Sequence, residues 1–236
     1  SAGDYLKEQY PYSKLAVGEA LQCPTLLENG FGGHRIEGIG DKHVPWVHNV
    51  RNTDMVIDID DEDSQNLLRL FNSEEGHKYL KEVVHVPEAT IEQLSLLGIS
   101  GIANVLCCIK FAKYYELTGD DVVATVATDS AVMYESRVKE LNEQQGNYSL
   151  LTAARDFSEH LHGIRTDNMA ELTYADRKRV HNLKYYTWVE QQGKTVEELN
   201  AQWYDHDYWT GIHEQAKDLD KLITEFNART GVAEKI

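Results

Sequence analysis

The sequence predicts an α/β fold, a parallel sheet flanked by helices, continued by a mainly helical C-terminal extension. Three observations predict it. The run Val122-Val123-Ala124-Thr125-Val126-Ala127 is apolar and β-branched, the pattern of a strand buried on both faces of a parallel sheet. Just before it, Ile102, Leu106, Ile109 and Ala112 recur at helical spacing, with Gly119 as a stop. From about residue 140 the pattern turns helical. A helix feeding a strand in this way implies right-handed crossovers, and ligands in such sheets gather beyond the carboxyl ends of the strands. Thr128-Asp129-Ser130 stands at such an end.

In chain order, Asp4 to Tyr10 reads as helical turns that Pro11 stops. Lys14-Leu15-Ala16-Val17 is a first strand and Met55-Val56-Ile57-Asp58-Ile59 a second. Between them Gly30-Phe31-Gly32-Gly33 is a loop by composition, and Gly38-Ile39-Gly40 follows closely. The acidic run Asp58 to Asp63 reads as a solvated loop and helix N-terminus, where negative charge is favourable. Asp63 or Ser64 then caps the helix of Leu67, Leu68 and Phe71. A further helix runs from Thr90 through Leu97 to Gly98. Beyond residue 140, Tyr174 to Gln192 is helical and Gly193 closes it. Thr195-Val196-Glu197-Glu198 is a capping box opening the next helix. Leu219, Leu222, Ile223 and Phe226 form an apolar stripe on the last helix, with Gly231 beyond. Gln144-Gln145-Gly146-Asn147 is the best boundary, giving a domain over 1–140 and a helical extension over 141–236 packed on it.

Composition narrows the partners. The 236 residues carry 39 Asp and Glu against 23 Lys and Arg, a net charge of −16. Such a surface repels phosphate backbones, and the densest basic run, Arg177-Lys178-Arg179, follows Asp176, so no nucleic acid is expected. Mean hydropathy is −0.50, and no apolar run approaches the ~20 residues of a membrane helix. Ser1 to Lys7 contains no apolar signal core. Cys23, Cys107 and Cys108 are odd in number with two adjacent, which reads as buried thiols in a reducing, cytoplasmic setting. No metal site is expected: C-x-x-C and H-E-x-x-H are absent, and His43/His48, His160/His162 and His206/His213 read as surface or satisfied histidines. Trp203, Tyr204, Tyr208 and Trp209, with Asp205 and Asp207, read as a packing cluster against the α/β layer.

Three segments carry a resemblance. The first is Gly32-Gly33-His34-Arg35-Ile36-Glu37-Gly38-Ile39-Gly40, followed by Val44-Pro45. The second is Gly98-Ile99-Ser100-Gly101-Ile102-Ala103, and the third is Val122 to Ala127 with Thr128-Asp129-Ser130. In this order they resemble the C-terminal half of cysteine-synthase-like enzymes, pyridoxal-phosphate enzymes of the tryptophan-synthase-β kind (fold type II). The family motifs are a G-x-H-K-I-Q-G-I-G loop, a G-I-S-S-G-A turn opening a helix, and a strand ending in P-D-S or P-S-S. Tyr5-Leu6-Lys7 and Lys14 to Val17 are similar to the helix and strand after the family's glycine-rich phosphate loop. The resemblance covers roughly residues 1–138.

The resemblance implies pyridoxal 5'-phosphate as cofactor, with Ser130, Gly38, Ile39, Gly40 and Ser100 as its binding residues. Ser130 would hydrogen-bond the pyridine nitrogen. A hydroxyl does not hold that nitrogen protonated as a carboxylate does, which suits β-elimination and β-replacement more than transamination. Gly38 and Gly40, lacking Cβ, would let the backbone approach cofactor or substrate closely. The Gly98–Gly101 turn would line the same pocket with helix N–H groups. Asp129, one residue before Ser130, points to the opposite face of a strand and reads as structural.

The departures from the family shape the functional expectation. The Schiff-base lysine and the phosphate cradle lie upstream in the family, and neither motif is in this sequence. Phe71–Val86 is longer than the family's connection, and 141–236 has no counterpart. The chain is therefore expected to be the C-terminal portion of a longer enzyme acting on a small amino acid. It would supply the ring-nitrogen contact and a pocket wall, with no catalytic base of its own, and work as a homodimer or with an N-terminal half. The alternative is a non-catalytic interaction or oligomerisation module derived from that fold. An unrelated doubly wound hydrolase or nucleotide binder is disfavoured, because G-x-S-x-G and G-x-G-x-x-G are absent.

Overall fold

Met55–Ile59 (β2) forms the strand expected from its apolar run, whereas the first strand, Ala16–Ala20 (β1), starts two residues later and ends three later than the expected Lys14–Val17. They pair in parallel, from Ala16 opposite Met55 to Ala20 opposite Ile59. The structure is a computed structural model and describes residues 2–232; Ser1 and 233–236, which belong to the expected start and extension, lie outside the described residues. A third strand, Met169–Glu171 (β3), pairs antiparallel to β2. The sheet is thus mixed, in the order β1-β2-β3, and not parallel throughout.

The strand expected over Val122–Ala127 does not form. These residues are irregular and exposed, Val122 at 93%. The backbone there is held by the Asn104 side chain, whose Nδ2 donates to Val126 O at 3.0 Å. β-branched residues favour a pleated, half-buried surface only where a neighbouring strand supplies the ladder, and among the described residues the sheet ends without this run.

Helix Ile99–Tyr114 packs on β1 and β2. Ile99, Ile102, Ala103 and Leu106 join Ile57, Ile59, Leu67 and Leu68 in one core. The close approach explains Gly18 in β1, where a Cβ would come within 2.8 Å of Cys107 Sγ. The helix begins at Ile99, one turn earlier than its apolar spacing indicates. Helix Asp61–Phe71 is also capped earlier than expected, by Asp60, whose carboxylate accepts from Glu62 N at 2.8 Å. The helix expected from Thr90 breaks into the short turns Glu88–Ile91 and Leu94–Leu96. The acidic run is not all solvated: Asp58 and Asp61 are buried.

The chain divides into two compact units, one of Lys14–Lys42 and Thr53–Thr173, the other of residues 1–13, His43–Asn52 and 174–236. The sheet lies in the first, as do residues 141–173. The second is helical in its described residues. Helix Tyr174–Lys184 runs into a wide i→i+5 turn over Tyr185–Val189, so the regular helix stops short of Gln192. The Thr195 capping box forms in full and opens Val196–Tyr204. Lys184 is wholly buried and ties this unit together: its Nζ donates to Trp46 O (2.9 Å), His48 O (2.7 Å) and Gln202 Oε1 (2.7 Å). Trp203 packs on Tyr174 and His181, within the helical unit. The stripe of Leu219, Leu222, Ile223 and Phe226 on helix Ala216–Thr230 is more than half exposed at every position.

Candidate functional site

The loop from Gly30 to Asp41 has no regular structure, yet its backbone is pinned. Ile36 is fully buried in the core. Arg35 N donates to Asp61 Oδ2 at 2.7 Å, and Gln65 Nε2 donates to Arg35 O at 3.1 Å. His34 Nε2 donates to Gly40 O at 2.9 Å and closes the turn. Thus the buried Asp61 and Gln65, on the helix after β2, set the loop's position. Gly38 and Gly40 have φ of +94° and +86°, which L side chains adopt at a cost. Ile39 between them is half-buried against the core.

The second segment opens helix Ile99–Tyr114. Gly98 caps it through the backbone alone, with extended torsions and no side-chain bond. Gly98 N donates to Asp129 O at 3.0 Å, tying the turn to the third segment. A Cβ on Gly98 would fall 2.0 Å from Asp129 Oδ1, so only glycine fits. Asp129 in turn accepts from Tyr134 OH at 2.6 Å. Burial and this hydrogen bond hold the Tyr134 phenol protonated well above its usual range.

The three segments meet at Ser100. This buried residue pairs its Oγ with Thr128 Oγ1 at 2.7 Å. From the other side, a Cβ built on Gly38 would lie 3.4 Å from Ser100 Oγ. Gly38, Ser100 and the segment ending in Ser130 therefore converge. Ser130 itself is half-buried, in extended conformation, and opens the short turn Ala131–Tyr134. Its hydroxyl makes no hydrogen bond to a described residue, while its carbonyl accepts from Met133 N at 3.1 Å. The structure joins Gly38 to Ser100, and Ser100 to Thr128, but places no direct contact between Ser130 and the other expected residues.

Sequence reasoning missed two parts of this region. Thr128 serves as the link to Ser100, a hydroxyl pair that no local spacing announces. Glu19 and Asp58 form a buried carboxyl pair, opposite one another on β1 and β2. Glu19 accepts from Leu26 N and Leu27 N at 2.9–3.0 Å. Burial and the neighbouring Glu19 push Asp58 up to about 9. The only available signal was strand alternation, which sets Asp58 on the face opposite Ile57 and Ile59. Among the described residues no group of three His, Cys, Asp or Glu is placed to hold a metal ion, and no helix is long and apolar enough to cross a membrane.

The chain is similar to cysteine synthase B of Campylobacter jejuni. The identity is 28% over 138 residues, which is 57% of this chain and 38% of the relative. The chain thus spans less than half the length of this curated relative. No protein-family model and no solved structure matches it.

Proposed function

We propose that Gly38, Ile39, Gly40, Ser100 and Ser130 form one wall of the cofactor and substrate pocket of a pyridoxal-phosphate-dependent enzyme of the cysteine-synthase type. The reaction is β-elimination or β-replacement on a small amino acid. The observation that carries the reading is the convergence on Ser100 of segments far apart in sequence, Gly38 from one side and Thr128 from the other. The similarity to cysteine synthase B supports it.

The residues present fit the cofactor. The Ser130 hydroxyl has no protein partner among the described residues and is available to a ring nitrogen. Gly38 and Gly40 offer backbone without Cβ in conformations that admit close approach. When bound, pyridoxal 5'-phosphate supplies the electron sink that stabilises charge at the substrate's Cα. Ser130 Oγ hydrogen-bonds the pyridine nitrogen without protonating it. Ser100 Oγ, held by Thr128, fixes the start of the helix whose N–H groups line the pocket. In this proposal residues 1–140 are the cysteine-synthase-like portion and 141–236 an extension of it. The lysine that holds the cofactor and moves the Cα proton comes from outside these residues.

Ser130→Ala and Ser130→Asp in the intact protein test the reading. Loss of one hydrogen bond weakens cofactor binding about 3–10-fold in the alanine variant. The aspartate variant binds the cofactor but loses β-elimination, because its carboxylate would hold the ring nitrogen protonated. Unchanged binding and turnover in both variants would refute it. A second reading, a non-catalytic assembly module, is favoured by the exposed stripe of Leu219, Leu222, Ile223 and Phe226. Light scattering before and after removal of residues 141–236 separates the two: loss of an oligomer with the fold retained favours assembly.

A further inference from the structure

We propose that the helical unit carries a binding site for a small zwitterion of the amino-acid type, framed by Arg51 and Glu8. The site shares no residue with the Gly38–Ser100–Ser130 cluster and does not rest on the function proposed for that cluster.

The site is a cavity of about 260 Å³ whose lining includes Asp4, Glu8, Asn49, Arg51, Trp209 and His213, all within the helical unit. That volume is below the roughly 300–1,000 Å³ of pockets for drug-sized ligands, so the occupant is small. Asp4 is its fixed post. It is 3% exposed, and its Oδ1 accepts from Asn49 Nδ2 at 2.8 Å and Asn52 Nδ2 at 2.5 Å. Its Oδ2 lies 3.7 Å from His213 Nε2. Three segments of the unit are thereby locked around one buried carboxylate.

Around that post the pocket keeps unspent polar groups. Asn49 Oδ1 is buried with no hydrogen-bond donor among the described residues. A buried acceptor left without a donor is unfavourable, and a ligand ammonium supplies one. Arg51 and Glu8 both line the cavity, and neither side chain makes a hydrogen bond or ion pair with a described residue. A guanidinium and a carboxylate left unpaired in one pocket match a ligand carrying both charges.

Charge balance selects the ligand class. Lys7 and Arg51 supply two positive charges to the lining, and Asp4 and Glu8 two negative. A simple anion meets the carboxylates and a simple cation meets Lys7 and Arg51. A zwitterion places its carboxylate on the Arg51 fork and its ammonium toward Glu8 and the Asn49 acceptor. The Trp209 indole N–H is spent on Gln202 O at 3.0 Å, which leaves its ring as the apolar wall for a short side chain.

The Trp209 indole resonance is a local reporter, assigned by Trp209→Phe. Titration of the intact protein with glycine is expected to shift it saturably. Acetate and methylammonium, each carrying one of the two charges, are expected to give no saturable shift at the same concentrations. Arg51→Ala and Glu8→Gln each weaken glycine binding about tenfold or more, as loss of one charged hydrogen bond requires. The isosteric Glu8→Gln keeps the test open if Arg51→Ala disturbs the fold. Saturation by acetate alone at the glycine midpoint, a shift unaffected by both variants, or no saturable shift with glycine would each overturn the proposal. Chemistry at a pyridoxal cofactor leaves the two pocket variants indistinguishable from wild type, so failure of either proposal is recognised separately.

Discussion

Glu19 and Asp58 face each other across the parallel pair of β1 and β2, two carboxyl groups in register, 4% and 1% exposed. Two charges do not share such a place. Glu19 accepts from two backbone N–H groups, Leu26 N and Leu27 N. Asp58 holds a proton up to about 9, against an ordinary value of 3.8.

The sign of the pH dependence follows. Between 3.8 and about 9 the folded protein holds a proton that the unfolded chain releases. Stability from this pair is therefore greatest at the acid end and declines as pH rises through that window. Asp58→Asn removes the ionisation at nearly the same side-chain volume. The variant is expected to melt about 3–6 °C higher at pH 8, with a flatter decline between pH 5 and 9. Calorimetry across that range checks both.

Lys184 gives the helical unit the opposite slope. Burial lowers its pKa from 10.5 to about 7, so between those values the unfolded chain binds the extra proton and stability rises with pH. Hydrogen exchange resolves the two trends: helix Tyr174–Lys184 becomes better protected from pH 7 to 9, after correction for the intrinsic rate, while β2 becomes less so. Lys184→Met abolishes the rise and leaves the buried Gln202 Oε1 without its donor, while Trp46 O and His48 O each lose one of two. The expected cost is about 3 kcal/mol at pH 7.

His48 and His181 make the same unit acid-sensitive. Burial, then the charge of Lys184, lowers each from 6.5 to about 4. Below 6.5 the unfolded chain takes up protons that the folded unit excludes, so stability drains away as pH falls toward 4. His181→Gln, keeping a donor for Leu199 O, is expected to blunt the loss when unfolding is followed between pH 7 and 4.

The two glycines of the Gly98–Gly101 turn are expected to behave oppositely. Alanine at Gly98 would strike Asp129 Oδ1 and dislodge it from Tyr134. It is expected to cost about 1–3 kcal/mol and to weaken cofactor binding. At Gly101 the nearest atom to a new Cβ is Leu97 Cδ2 at 3.5 Å, an ordinary contact. Helix propensity then favours alanine by about 0.5–1 kcal/mol. Denaturation of both variants decides it.

Much of the fold was legible where a local rule suffices. Met55–Ile59 is a compact apolar run and forms its strand residue for residue. The Thr195–Glu198 capping box needs only its own four residues. Longer-range partners were not legible. Val122–Ala127 has strand residues without a strand beside it, whereas Met169–Glu171 becomes a strand because β2 has a free edge. At the candidate site, Gly38 and Gly40 were readable as turn glycines, and both have positive φ. The link from Ser100 to Thr128 was not, since it joins hydroxyls 28 residues apart. Nor was the Arg51 and Glu8 cavity, assembled from three separate segments with no motif.

The most direct test of the central claim is reduction of the intact protein with borohydride in the presence of pyridoxal phosphate, followed by intact mass and mapping of the modified residue. The account predicts one stoichiometric label on a lysine outside the 236 residues described by this sequence, reduced in extent by Ser130→Ala. A stoichiometric label on a lysine within these residues, or no label at all, would contradict it.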